Sequence, residues 1–148
     1  MEHNTQELNI PLKKSMEQKS TAILITGGFG FIGLALARRI LEKGSEEKVY
    51  LFGHERPMDA EMTALKGEFG ERAQFRYGDV IDFNMGSFMD VNRVYHLAAI
   101  KRTSGGSSFA LDENIENDEN IVHAFGHRPE VKILYASTGE IFGTMGSS

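Results

Sequence analysis

The fold of this chain is decided by the stretch TAILITGGFGFIG, residues 21–33. Its first six residues form an apolar run rich in β-branched side chains, which is typical of a strand buried on both faces. Gly27 and Gly28 end that run, and the residues that follow predict a helix over 30–43. The predicted buried face of this helix consists of Ile32, Ala35, Leu36 and Ile40. The chain therefore begins its fold as strand, tight turn and helix.

The rest of the sequence repeats this alternation. Further strands are predicted at residues 48–52, 73–77, 93–99 and 131–137. Helices are predicted at residues 58–66 and 109–125, and a helical turn at residues 84–91. The last has an apolar stripe of Leu111, Ile115, Val122 and Phe125, and its acidic run over 112–120 predicts a solvated face. Alternating strands and helices predict an α/β fold, with a parallel sheet of order 3-2-1-4-5 and helices on both faces.

Composition excludes several classes of function. The 148 residues suit one domain, which we predict over residues 21–148, after a flexible extension at residues 1–20. A net charge of −5 argues against nucleic acid as a partner, and the absence of cysteine excludes a disulfide scaffold and a thiolate metal site. No apolar run approaches the roughly 18 residues of a membrane span. We therefore expect a soluble, cytoplasmic protein without a membrane partner.

Three glycines, Gly27, Gly30 and Gly33, lie at the junction between the first strand and the first helix. Glycine adopts the positive backbone dihedrals of a tight turn without steric cost, and a helix N-terminus offers free N–H groups to an anion. The spacing therefore predicts a cradle for the pyrophosphate of a dinucleotide. A glycine-rich turn without a ligand is the alternative interpretation. A P-loop is excluded, because no Gly-Lys-Ser/Thr follows.

The end of the second strand bears on the choice of cofactor. It reads Gly53, His54, Glu55 and Arg56, without an acidic residue at the position expected to hold the adenosine ribose. His54 and Arg56 are candidates to face a 2′-phosphate, so the sequence favours NADP over NAD. In the alternative interpretation these two side chains are solvated and Glu55 binds the ribose in a shifted register.

Several motifs together resemble the extended short-chain dehydrogenase/reductase superfamily, in particular the NAD-dependent epimerase/dehydratase group that acts on nucleotide-activated sugars. The motifs are TGGFGFIG at residues 26–33, YGDV at 77–80, HLAA at 96–99 and ASTGEIFG at 136–143. The resemblance implies a Rossmann-like domain that binds NADP or NAD, a nucleotide-sugar substrate and a homo-oligomer. The cofactor contacts that it implies are Gly27, Gly30, Phe31, Ile32, Gly33, Asp79, Val80, Leu97, Ala98, Ala99 and Asn114.

The resemblance also implies two catalytic residues. Thr138 matches the Ser/Thr that hydrogen-bonds the oxygen being oxidised, and Glu140 matches a carboxylate that removes a proton beside the new ketone. Gly139 departs from the Asp-Glu pair of one dehydratase branch. The family's Tyr-x-x-x-Lys is missing, because none of the four tyrosines has a lysine four residues later. We therefore predict the N-terminal half of an enzyme, inactive alone; the alternative is a non-catalytic dinucleotide-binding module.

Some of these residues also have plain structural interpretations. Asp79 has the character of a turn residue, Glu140 that of a helix-start carboxylate, and His96 interrupts an apolar strand as a hydrogen-bonded structural histidine would. His123 and His127 lie four residues apart, but no third ligand is placed by spacing, so we predict no metal site. The stripe on the last helix suits either a dimer contact or an ordinary core face.

Overall fold

Strand β1 (Ala22–Thr26) lies at the centre of a five-stranded parallel sheet of order β3-β2-β1-β4-β5. The other strands are β2 (Lys48–Gly53), β3 (Ala73–Tyr77), β4 (Val91–His96) and β5 (Lys132–Tyr135). The helices are α1 (Phe31–Glu42), α2 (Ala60–Phe69) and α3 (Ser107–Phe125), with 3-10 turns at Gly70–Arg72 and Met85–Phe88. This computed structural model describes residues 21–44, 46–100 and 107–137, with the backbone alone for 107–111. The predicted α/β class and strand order are confirmed.

The sheet buries a separate core on each face. All five β1 residues are buried, with alternate side chains pointing to opposite faces, as predicted for a strand covered on both sides. The first core joins β1 to α1 and α2 through Ile23, Ile25, Leu34, Leu41, Met62 and Leu65. The second joins it to α3 and to the segment before β4 through Leu24, Phe52, Phe88, Val94, Ile121 and Phe125. Helices therefore cover both faces of the sheet.

Most element boundaries differ from the predicted ones by one to three residues, and two of these differences have identifiable reasons. β4 begins at Val91 instead of residue 93, because Val91 already pairs with Ala22 of β1. The helical turn predicted at 84–91 is present as the 3-10 turn Met85–Phe88. α2 begins at Ala60 instead of residue 58, because the Asp59 side chain accepts a hydrogen bond from the N–H of Met62 at 2.9 Å and caps the helix.

The predicted buried face of α1 is partly wrong. Leu36 and Ile40 do pack against the first core, but Ile32 and Ala35 are exposed, and the buried positions are Gly33, Leu34, Ala37 and Leu41. The rotation of the helix is set by Gly33, where an added Cβ would lie 2.5 Å from the carbonyl oxygen of Gly27. Because that position must face the turn, Ile32 is carried away from the sheet.

The predicted stripe on α3 is also wrong in part. Phe125 is buried, but Ile115 and Val122 are 47% and 59% exposed, and the side chain of Leu111 lies outside the described residues. The buried side chains are instead Asn117, Ile121 and Phe125, at a spacing of four. The run 112–120 is therefore not wholly solvated, since it contributes a buried asparagine.

The outer edge of β5 leads to a prediction of self-association. Among the described strands β5 pairs only with β4, and its Ile133, Leu134 and Tyr135 side chains are exposed. An unpaired apolar edge is a template for association, so sedimentation at tens of micromolar should show dimers or larger species. Leu134→Lys should shift the population towards monomer, whereas Met58→Lys, at a similarly exposed site off the edge, should not. A stable monomer of the unaltered chain would contradict this prediction.

Candidate functional site

The turn after β1 has the geometry that the glycine pattern predicts. Gly27 has a φ of +66°, which favours glycine, and the N–H of Gly28 donates to the carbonyl of Phe52 at 3.0 Å. An added Cβ at Gly27 would lie 2.9 Å from the amide nitrogen of Ala98. The turn is therefore pressed against the residues that follow β4.

Helix α1 begins directly behind this turn. Gly30 is its N-cap, no side chain caps its first turn, and that turn contains no acidic residue. The free N–H groups of a helix N-terminus and its partial positive charge together favour an anion. Phe31 and Ile32 have exposed side chains, so any contact they make with an anion there is through the backbone.

A cleft of about 400 Å³ opens at the carboxyl ends of the strands, beside this helix N-terminus. Ligands of parallel α/β sheets bind at this edge. The predicted residues that line the cleft are Gly27, Gly30, His54, Arg56, Asp79, Val80, Leu97, Ala98 and Ala99. The lining residues that sequence reasoning missed are Phe29, Gly53, Gly78, Ile81, Ile100, Glu113 and Asn117. Residues from four strand ends and from α3 thus converge on one site.

Phe29 explains why the second strand ends in glycine. Its ring lies 5.4 Å from that of Tyr77 and 6.0 Å from that of Phe75. An added Cβ at Gly53 would lie 3.1 Å from the Phe29 ring. The aromatic residue inside the glycine motif therefore occupies the space that a side chain at residue 53 would need, and no sequence signal marked this contact.

The charged residues at this end of the cleft are partly neutralised by neighbours. The Arg56 guanidinium forms an ion pair with Asp59, the residue that caps α2. The Nδ1 of the exposed His54 lies 3.9 Å from Oδ2 of Asp79. Asp79 also accepts a hydrogen bond from the N–H of Ile81 at 3.1 Å through Oδ1, so it is a turn residue as well as a lining residue.

Asn114 does not line the cleft, but it binds Ile100, which does. Its side chain accepts from the N–H of Ile100 at 2.7 Å and donates to the carbonyl of the same residue at 3.0 Å. It is not among the residues that line the cleft, and its visible role is to hold the segment after β4 against α3. Gly33 likewise lies behind the turn, where it permits close packing.

His96 joins two strands to α3 through a buried network. The Thr26 hydroxyl accepts hydrogen bonds from the N–H groups of Leu97 and Ala98 at 3.2 and 3.3 Å, so its own proton is free to go to Nδ1 of His96. The Nε2–H of His96 then donates to Asp118 at 3.0 Å. This arrangement fixes one neutral tautomer of the ring.

The environment of His96 favours its uncharged form. Burial lowers the pKa of the imidazole below its ordinary value of 6.5, and the Asp118 carboxylate opposes this without reversing it. The Tyr135 and His96 ring centroids lie 5.8 Å apart, and a hydrogen bond from the Tyr135 hydroxyl to the Asp118 carboxylate, together with burial, raises the pKa of Tyr135. The network agrees with the structural interpretation of His96, which lies outside the cleft lining.

The remaining predicted site residues fall elsewhere. Thr138 and Glu140 lie outside the described residues. His123 and His127 have ring centroids 5.7 Å apart, and within residues 21–44, 46–100 and 107–137 no three potential ligands are grouped to hold a metal ion. None of the described helices is both long enough and apolar enough to cross a membrane.

A parallel α/β sheet with a glycine turn and an uncapped helix N-terminus, both bordering a cleft at the strand ends, defines the dinucleotide-binding class of α/β proteins. The model of the NAD dependent epimerase/dehydratase family matches residues 23–148, and the chain belongs to that family.

Among curated proteins, the chain is 28% identical to a D-erythronate dehydrogenase of Cupriavidus necator and 28% identical to a UDP-glucose 4-epimerase of Streptococcus mutans. Each match covers 82% of this chain, but only 40% and 37% of those proteins, respectively. The chain therefore spans about two fifths of the length of these relatives.

Solved structures also match most of this chain, over less than half of their own length. A UDP-glucuronic acid 4-epimerase from Bacillus cereus, in complex with NAD, matches with a TM-score of 0.64 and 27% identity over 85% of this chain and 43% of that one. A dTDP-glucose 4,6-dehydratase from Bacillus anthracis, also in complex with NAD, matches with a TM-score of 0.70 over 87% of this chain and 41% of that one. The dehydratase is 21% identical, so its likeness concerns the fold alone.

Proposed function

We propose that this chain is the cofactor-binding part of an NAD(P)-dependent enzyme that epimerises or dehydrates a nucleotide-activated sugar through a keto intermediate. The observation that carries the proposal is the glycine turn and uncapped start of α1 at the edge of a cleft of about 400 Å³. Membership of the NAD dependent epimerase/dehydratase family supports it, as do two relatives whose names state epimerase activity on nucleotide sugars.

The residues of the cleft fit a dinucleotide. The backbone N–H groups at the start of α1, next to Gly30, would hold the diphosphate, and the Asp79 carboxylate would accept from the adenine amino group. Leu97, Ala98 and Ala99 would line the middle of the ligand. When bound, the nicotinamide supplies the hydride acceptor.

The proposed chemistry of the substrate depends on two residues after β5. We assign to the Thr138 hydroxyl a hydrogen bond with the sugar oxygen being oxidised, and to Glu140 the removal of a proton next to the resulting ketone. Both residues follow β5. Because β5 is parallel to β4, its carboxyl end lies at the same edge of the sheet as the cleft. We further propose that the protein acts as a homo-oligomer in the cytoplasm, and its lack of cysteine suits a reducing compartment.

We predict that the site prefers NADP to NAD. His54 and Arg56 both line the cleft where β2 ends, and a 2′-phosphate would compete with Asp59 for the Arg56 guanidinium. Calorimetric titration should give a lower Kd for NADP, and Arg56→Ala should raise that Kd by about tenfold while leaving the Kd for NAD within about twofold. Arg39→Ala, at an exposed site outside the cleft, is the matched control. Equal affinities for NAD and NADP would refute the preference.

We also predict that these 148 residues alone do not turn over a sugar nucleotide. Hydride removal from an alcohol needs a base, which typically contributes about 10²–10⁴-fold, and no tyrosine here has a lysine four residues later. UDP-, GDP-, dTDP- and CDP-sugars should therefore stay unchanged with either cofactor by mass spectrometry. Turnover that is lost in Thr138→Ala would contradict this prediction.

A further inference from the structure

Three asparagines recur at every third position of α3, at residues 114, 117 and 120. The two outer ones bind the backbone of the segments on either side of the cleft. Asn114 forms hydrogen bonds with the N–H and the carbonyl of Ile100, which follows β4. The Asn120 amide donates to the carbonyl of Ile81, which follows β3, at 3.0 Å. Their hydrogen bonds are thus used to hold the cleft walls against the helix.

Asn117, between them, has a different environment. It lines the cleft and is 5% exposed, and its Oδ1 atom is buried without a hydrogen-bond partner among the described residues. A buried amide oxygen without a donor costs free energy in the unliganded chain, and such orphans are rare in native proteins. A ligand in the cleft that donates a hydrogen bond to this oxygen would remove the cost, which would explain why an unpaired acceptor lies in the cleft wall.

The geometry points to Asn117 as a further ligand-binding residue: we propose that its Oδ1 accepts an N–H from the adenine base of the bound dinucleotide. This inference rests on the proposed function. Phosphates are acceptors and cannot pair with a carbonyl oxygen, so the donors that such a ligand offers are the N–H groups of adenine and of the nicotinamide carboxamide, and the ribose hydroxyls.

The position of Asn117 favours the adenine end. The Asn120 contact places this part of α3 against residues 80 and 81, directly after Asp79 at the end of β3. Glu113, one helical turn before Asn117, lines the same cleft. Asp79, Glu113 and Asn117 thus add acceptor oxygens to a wall that suits a base with N–H donors.

The test combines affinity and stability in one variant. Asn117→Leu keeps a similar volume and removes both hydrogen-bonding groups. It should raise the Kd for NAD and for ADP-ribose by about two- to tenfold and leave that for nicotinamide mononucleotide unchanged. It should also raise the thermal unfolding midpoint of the unliganded chain, because the orphan oxygen is gone. Glu116→Leu, at an exposed site outside the cleft, should leave all three Kd values unchanged.

Each outcome separates the inference from the function on which it depends. If the original chain binds NAD and Asn117→Leu binds it equally well, the adenine contact is wrong and the proposed function stands. Equal weakening of nicotinamide mononucleotide would overturn the assignment to the adenine end. Failure of the original chain to bind any of the three ligands would overturn both. Asn117→Ala serves as a second variant, with the same expected losses, should the leucine variant not fold.

Discussion

Gly33→Ala should destabilise the chain by about 1–3 kcal/mol and raise the Kd for a dinucleotide by at least about tenfold. The new Cβ would lie 2.5 Å from the carbonyl oxygen of Gly27 and 2.8 Å from Cα of Gly28. Both are backbone atoms, so no side-chain rotation relieves the contact. The turn or the start of α1 must therefore shift, and the N–H groups proposed to hold the diphosphate shift with it.

Gly67→Ala is the matched control for this experiment. Gly67 is also a helical glycine, in α2, but an added Cβ there would meet no atom of the described residues within 4 Å. Alanine at this position should raise the free energy of unfolding by about 0.5–1 kcal/mol through helix propensity and leave the Kd unchanged. Chemical denaturation and calorimetry measure both quantities. If Gly33→Ala behaves like Gly67→Ala, the close approach of α1 to the turn is not what stabilises this site.

The second large effect concerns His96 and pH. Because burial lowers its pKa in the folded chain, the unfolded chain binds the proton first as the pH falls below about 6.5. The stabilising contribution of the neutral ring is complete above pH 6.5 and is lost as the pH falls from there to the folded-state pKa. Within that window we expect the free energy of unfolding to drop by up to about 1.4 kcal/mol per pH unit.

His96→Gln should remove this slope. It should also cost about 1–3 kcal/mol at pH 8, because Thr26 and Asp118 lose a shared partner. Tyr135→Phe is the control, since it removes the hydroxyl that donates to Asp118 and keeps the imidazole. NMR titration of the His96 ring in the original chain gives the folded-state pKa directly, so the prediction survives even if His96→Gln does not fold. A ring that titrates at or above 6.5 would contradict it.

The strand order and the glycine turn could be predicted because they depend on local signals. The apolar run before Gly27 is typical of a strand covered on both faces, and its junction with a helix favours glycine where φ is positive. Parallel strands joined by right-handed crossovers leave few topologies, so the order follows from the alternation. Nine of the predicted cofactor residues line the cleft. Gly27, Gly30, His54 and Arg56 were predicted from local signals, whereas the family resemblance implied the other five: Asp79, Val80, Leu97, Ala98 and Ala99.

The wrong predictions concern which face of a helix is buried. In both α1 and α3 more apolar side chains were available than the sheet could cover. The choice in α1 was made by Gly33, which must face the turn. In α3 the choice of the buried face goes together with two contacts that are distant in sequence. One joins His96 to Asp118, and the other joins Asn120 to the segment after β3. Hydrophobic periodicity does not contain such constraints.

The sequence by itself determined an alternating α/β chain with a phosphate-type turn between β1 and α1, because each of these features is encoded within a few neighbouring residues. Only the tertiary structure decided that Phe29 fills the space beside Gly53, and that His96 is a neutral ring between Thr26 and Asp118. The tertiary structure alone also shows that the Oδ1 atom of Asn117 is buried without a hydrogen-bond partner among the described residues. These outcomes join residues more than twenty positions apart or depend on which atoms remain unpaired, and both arise only when the elements pack together.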